Sequence, residues 1–107
     1  QEHVGRMVRH LSRAVDASAE QKEKLTAIAT AMAHDLLPIR EKMHAARKRA
    51  VELLQQPQTD RAALEALRAE QIATADEASK RLTQGLADAA DVLTPEQRAK
   101  LAQRWRF

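Results

Sequence analysis

The sequence predicts an all-α protein of four helices, two long ones forming an antiparallel hairpin between two short ones. Three observations predict it. Ala, Leu, Glu, Gln, Lys and Arg dominate, with only 2 Gly and 3 Pro in 107 residues, which is the make-up of long helices or a coiled coil. Apolar residues recur at gaps of three and four along most of the chain, a helical period. A helix-start pattern also occurs twice, from Ser18 to Leu25 and from Thr94 to Leu101. Both copies read Ser/Thr, small or Pro, Glu, Gln, basic, any, Lys, Leu.

The first helix is expected over residues 2–14, where Val4, Met7, Val8, Leu11 and Val15 lie at helical spacing and Gly5 weakens the start. Asp16, Ala17 and Ser18 break it and open the next. A Ser or Thr hydroxyl at an N-cap accepts from the N3 amide, and a Gln at N3 reaches back to the N-cap amide. Ser18 with Gln21 and Thr94 with Gln97 have that spacing. Pro95 falls at the first helical position, where its missing N–H costs nothing. Glu20 and Glu96 lie in first turns, where the macrodipole favours negative charge.

From Ala19 to about Leu54 the apolar positions are Leu25, Ile28, Met32, Leu36, Ile39, Met43, Ala46, Ala50 and Leu53. Their average gap of about 3.5 is the heptad period of a coiled-coil seam. Pro38 lies inside this run and removes one backbone donor, so a kink near His34 to Pro38 is expected rather than a break, because the phase continues past it. Gln55 to Thr59 is the loop. Thr59 or Asp60 caps a third helix reaching about Val92, with Leu64, Leu67, Ala75, Ala78, Leu82, Leu86 and Ala89 as its stripe and Ile72 one position off. Gly85 in that stripe marks close approach of another helix. The fourth helix starts at the Thr94 cap and carries Leu101 and Trp105. The long helices are each roughly 50 Å at 1.5 Å per residue, so a hairpin of them leaves much side surface for a partner subunit to cover.

Composition excludes several functions. Cysteine is absent, which rules out a disulfide framework and a thiolate metal site. No apolar run approaches a membrane span and no secretory signal is visible; the start at Gln1 is expected of a processed or trimmed form. With three serines, no Tyr and no phosphate-cradling glycine loop, catalysis has little support. Net charge is only +3 despite a high isoelectric point, which suits acidic surfaces or chains rather than a nucleic-acid module, and base-stacking aromatics are lacking.

The histidines do not make a zinc site on their own. His3 and His10 share a face but lie about 10 Å apart along the axis, and His34 and His44 are farther apart. Solvated histidines are the expectation, and an inter-subunit site using Glu2, Asp35 or Glu41 is the alternative. A basic cluster, Arg40, Lys42, Arg47, Lys48 and Arg49 with His44 among them, is opposed locally only by Glu41. Beside it lie Met32, Leu36, Ile39 and Met43. Methionine is flexible and polarizable, so such a stripe can repack against varied partners; the same stripe also serves as the hairpin seam.

The duplicated motif, in its full form Leu93-Thr94-x-x-Gln97, resembles the signature of the Spy/CpxP family of bacterial periplasmic proteins. The first copy, Ala17-Ser18-x-x-Gln21, departs from it, with Ala for Leu and Ser for Thr. The order of elements matches as well: short helix, motif, long helix, Pro-containing loop, long helix, motif, short helix. The resemblance implies a periplasmic, ATP-independent chaperone: a dimer of curved hairpins forming a cradle that holds unfolded or partly folded clients under envelope stress, with no cofactor. It also implies alternatives, a metal-sensing protein or a regulator that binds the periplasmic domain of a sensor kinase. The metal-sensing branch uses clustered His and Glu ligands on the first helices, and no such cluster is matched here.

Client contact is assigned to Met32, Leu36, Ile39 and Met43 for apolar capture, with Arg40, Lys42, Arg47 and Lys48 for steering. No catalytic or metal-binding residue is assigned, and neither nucleic acid nor stable membrane insertion is expected. The motif residues, Ala17, Ser18, Gln21, Leu93, Thr94 and Gln97, are read as helix caps whose chemistry closes within each helix start and which set a terminal helix against the hairpin.

Overall fold

The computed structural model describes residues 2–104, so the expectation for Trp105 lies outside the described residues. Four helices follow one another, α1 (Glu2–Val15), α2 (Ala19–Leu54), α3 (Arg61–Val92) and α4 (Pro95–Arg104), with no strand among the described residues. The predicted all-α class and the order of four helices are those observed, with α1 ending at Val15 rather than at residue 14. Each start has a local cause. Ser18 and Thr94 cap α2 and α4, and Asp60, rather than Thr59, caps α3 by accepting from the Ala63 amide at 3.0 Å. Pro95 occupies the first position of α4. α1 ends where Asp16 turns left-handed at φ 54° and the Ala17 amide closes on the Ser12 carbonyl at 2.9 Å, a Schellman arrangement. α2 runs unbroken through Pro38.

The contacts divide the chain into two compact units, Gln1–His34 with Leu82–Phe107, and Asp35–Arg81. In the first, Val4, Val8 and Val15 of α1 bury against Leu25 and Leu93, with Ala29, Ala89 and Leu101 packed around them, and α1 lies against α4. Met7, expected in the same stripe, stays half exposed. Ser12 is buried among these residues and its hydroxyl has no hydrogen-bond partner. A buried hydroxyl without a partner keeps its desolvation cost, so Ser12→Ala is expected to stabilise the protein by about 1 kcal/mol, read as a higher urea midpoint at unchanged slope. A lower midpoint would show that the hydroxyl contributes.

In the second unit the two helices pair antiparallel. Arg81 Nε donates to Asp35 Oδ2 at 2.8 Å, and Lys42 Nζ reaches Glu77 Oε1 at 3.3 Å. Ala46, Leu53 and Leu67 form the core nearest the loop, with Ala50, Ala63 and Leu64 against them.

The stripe expected on α3 is only partly the buried one. Leu67 is buried and Leu64, Ala78 and Ala89 half-buried, but Ala75, Leu82 and Leu86 face solvent with Ile72. The buried or half-buried positions between Leu67 and Ala89 are Thr74, Ala78, Arg81 and Gly85. The physical reason is plain at Gly85, where the Met32 side chain occupies the space a Cβ would take, its Cε 2.5 Å and its Cγ 2.7 Å from that position. At this point α2 offers a bulky residue and α3 answers with a small one, and Leu82 and Leu86 on either side of Gly85 turn outward. Thr74 buries its hydroxyl safely by donating to the Glu70 carbonyl at 3.0 Å.

Candidate functional site

Two places in the molecule concentrate unusual side-chain arrangements. The first is the junction of the two motifs. Gln21 Oε1 accepts from the Ser18 amide at 2.9 Å, while the Gln21 amide donates to Ser18 Oγ at 3.1 Å. Thr94 and Gln97 repeat both bonds at 2.9 and 3.1 Å. These are the two capping boxes expected from the spacing.

The glutamines do more than cap, which corrects the expectation that the motif's chemistry closes within each helix start. Gln21 Nε2 donates to Gln97 Oε1 at 2.8 Å, and Gln97 Nε2 donates back to Gln21 Oε1 at 2.9 Å. Each Nε2 also donates to the end of the helix before the other motif. Gln21 reaches the Val92 carbonyl at 3.1 Å, and Gln97 the Val15 carbonyl at 3.3 Å. Both amides are therefore filled: each oxygen accepts twice and each nitrogen donates at least twice. The pattern has an approximate two-fold symmetry, with the α1–α2 corner facing the α3–α4 corner.

The remaining motif positions fit the same picture. Leu93 is buried in the core of this unit, and Ala17, standing where the full motif has Leu, packs on the same cluster half-buried. Arg98 Nη1 donates to the Ala90 carbonyl at 3.1 Å, filling another acceptor at the end of α3. Lys100 pairs with Asp16 at 3.2 Å on the outside.

A family model described as the LTXXQ motif family matches residues 3–104. The chain belongs to the LTXXQ motif family. That family covers proteins of the Spy/CpxP type. No curated protein and no solved structure shows a comparable match.

The second place is the surface of α2 within Asp35–Arg81. Of the apolar residues assigned to client contact, Ile39 is only 6% exposed and Met43 40%. Leu36 and Met32 are half-buried, Met32 against Gly85. Ile39, Leu36 and Met32 are thus turned in large part toward the seam, and Met43 is exposed. Arg40, Lys42, Arg47 and Lys48 are all exposed, but Lys42 is paired with Glu77 and Arg49 lies 4.0 Å from Glu52. Arg40, Arg47 and Lys48 form no ion pair among the described residues.

A different apolar row lies outside. Leu37, Val51 and Leu54 are 52%, 54% and 74% exposed. Leu37 and Val51 each stand two residues before a seam position, Ile39 and Leu53, and two residues turn a helix by about 200°. They therefore face away from the seam. Leu37, Arg40, His44, Arg47, Val51 and Leu54 follow one another at gaps of three and four, so apolar ends flank a cationic middle along about 25 Å of one helix. The signal was present in the sequence: these three apolar residues fall outside the heptad, and a seam-only reading of α2 passes over them.

Among the described residues, no three His, Cys, Asp or Glu side chains gather as metal ligands. No helix is long and apolar enough to cross a membrane.

Proposed function

We propose that this LTXXQ-family protein is an ATP-independent periplasmic chaperone that holds unfolded or partly folded clients as a homodimer and suppresses their aggregation. The observation that carries the reading is the outer row of α2, where exposed Leu37 on one side and exposed Val51 and Leu54 on the other flank Arg40, His44 and Arg47. Exposed apolar groups rimmed by charge mark interaction surfaces, and the cations add attraction for acidic chains at a distance.

Magnitudes suit holding rather than tight binding. Fully burying an exposed Val or Leu side chain contributes about 1.5–3 kcal/mol, and these three, already partly covered, give about 3–5 kcal/mol. Association costs about 4–15 kcal/mol, so little or no surplus is left and each capture is weak and reversible. The apolar capture assigned to Met32, Leu36 and Ile39 moves, in this proposal, to Leu37, Val51 and Leu54; Met43 and the cations Arg40, Lys42, Arg47 and Lys48 keep their roles.

Light scattering from a chemically denatured client, diluted with equimolar protein and no ATP, tests this. Suppressed scattering is expected, and a Leu37→Ser/Val51→Ser/Leu54→Ser variant is expected to lose most of it while melting normally, since none of the three is buried. An unchanged trace with the unmodified protein would end the chaperone reading. A monomeric mass at tens of micromolar would count against the dimer.

A further inference from the structure

We propose that the exposed row His3–Met7–His10 of α1 binds one soft univalent metal ion, copper(I) or silver(I), through the Met7 thioether and a histidine imidazole. The row shares no residue with the motif junction or with the outer row of α2. Val4, Val8 and Val15 are buried and fix which side of α1 faces the core. His3, Met7 and His10 then fall within an arc of about 60° on the flank of the helix, at 100° per residue. All three are exposed, and Met7 is 50% exposed although an apolar side chain on an amphipathic helix ordinarily turns inward.

Two imidazoles seven residues apart cannot share an ion on one helix. Met7 changes that, because it is four residues from one and three from the other, and helix neighbours at those separations have Cβ atoms about 5–6 Å apart. An ion held by one nitrogen and one sulfur at bond lengths of about 2.0–2.3 Å spans on the order of 4–5 Å. Either His3 with Met7 or Met7 with His10 can close that distance, and Met7 is common to both. The donor set decides the metal: thioether sulfur selects copper(I) and its soft congeners over hard or borderline ions, and imidazole accepts them. Charge points the same way. Arg6, Arg9 and Arg13 occupy the adjoining surface with only Glu2 among the acids of α1, so a univalent ion meets half the repulsion a divalent one would. Neither ligand has to give up a charge-balancing proton as a thiol would.

The other two methionines provide internal controls. Met32 is packed against Gly85, and Met43, though exposed, has no histidine three or four residues away. Titrating the full chain with silver nitrate in chloride-free buffer, with the three methionine methyl signals followed by NMR, reads the site directly. The Met7 signal is expected to move to completion at one equivalent while Met43 and Met32 stay. Met7→Leu, which keeps the helix and an apolar side chain, is expected to weaken silver binding at least tenfold. His3→Ala and His10→Ala then assign the second ligand by whichever weakens it more. Parallel movement of Met43, undiminished binding by Met7→Leu, or equal competition by zinc(II) would overturn the proposal.

Discussion

Gln97→Ala is expected to lower stability by about 3 kcal/mol, more than any other single change in the two motifs. The substitution removes the reciprocal cap on the Thr94 amide, both bonds to the Gln21 amide and the donors to the Val15 and Asp16 carbonyls. A typical hydrogen bond contributes about 0.5–1.5 kcal/mol net, and a partly buried group left without its partner costs more. Against a total of about 5–15 kcal/mol for a domain, such a loss lowers the melting temperature by roughly 12–24 °C at about 4–8 °C per kcal/mol. Gln21→Ala is expected to do nearly the same, because its bonds mirror those of Gln97. The decisive quantity is the coupling. If the two amides form one unit, the double variant loses less than the sum of the singles by about 1–2 kcal/mol, within the range seen for contacting residues. Thr94→Ala, which removes only a cap, is expected to cost about 0.5–2 kcal/mol and to add independently to Gln21→Ala. Additivity within about 0.5 kcal/mol for the glutamine pair would mean that each motif acts alone.

The coupling gives the duplicated motif its meaning. A single copy is a helix start. Two copies, each with an amide nitrogen left over after capping, can close on one another, and the carbonyl ends of α1 and α3 supply the remaining acceptors. Val15 and Val92 stand just before their motifs, so the glutamine of one motif recognises the helix end that leads into the other. This holds the outer ends of the chain together and leaves α2 and α3 within Asp35–Arg81 free of any duty to the junction.

What could be read from the sequence divides along the same physical line. Helix boundaries were legible because caps are local: Ser18, Asp60 and Thr94 satisfy amides three residues away, and Pro95 and Asp16 punctuate without help from distant residues. The seam of α2 was legible for its heptad of Leu25, Ile39, Ala46 and Leu53. The pairing of Gln21 with Gln97 joins positions far apart in the chain and so leaves no periodic trace, although the same residue at the same offset in two copies was its one available sign. The phase of α3 misled for a different reason. Hydrophobic periodicity assumes that large apolar residues face the core, whereas here the facing helix already fills the space with Met32, and Leu82 and Leu86 yield the seam to Gly85. Exposed Leu82 and Leu86 are the cost of that fit.

The fit at Gly85 sets the second large expectation. Gly85→Leu is expected to destabilise the protein by about 2 kcal/mol even though leucine is the better helix former. Glycine carries a helix penalty of about 1 kcal/mol relative to alanine, so propensity alone predicts a gain. Opposing it, the first carbon of any side chain at this position runs into the Met32 thioether. Overfilling a packed seam costs about 1–3 kcal/mol, and a leucine adds three more carbons to the same space, so packing wins. The compensating change distinguishes a local clash from general intolerance. With Met32→Ala beside it, Gly85→Leu refills the volume from the opposite helix, and most of the lost stability is expected to return, read from urea midpoints at constant slope. If Gly85→Leu melts at or above the parent temperature, α3 does not meet α2 through small residues, and the outward placement of Leu82 and Leu86 needs another cause. If Met32→Ala instead deepens the loss, the methionine is a support of the seam rather than the occupant of the space a side chain at position 85 would need.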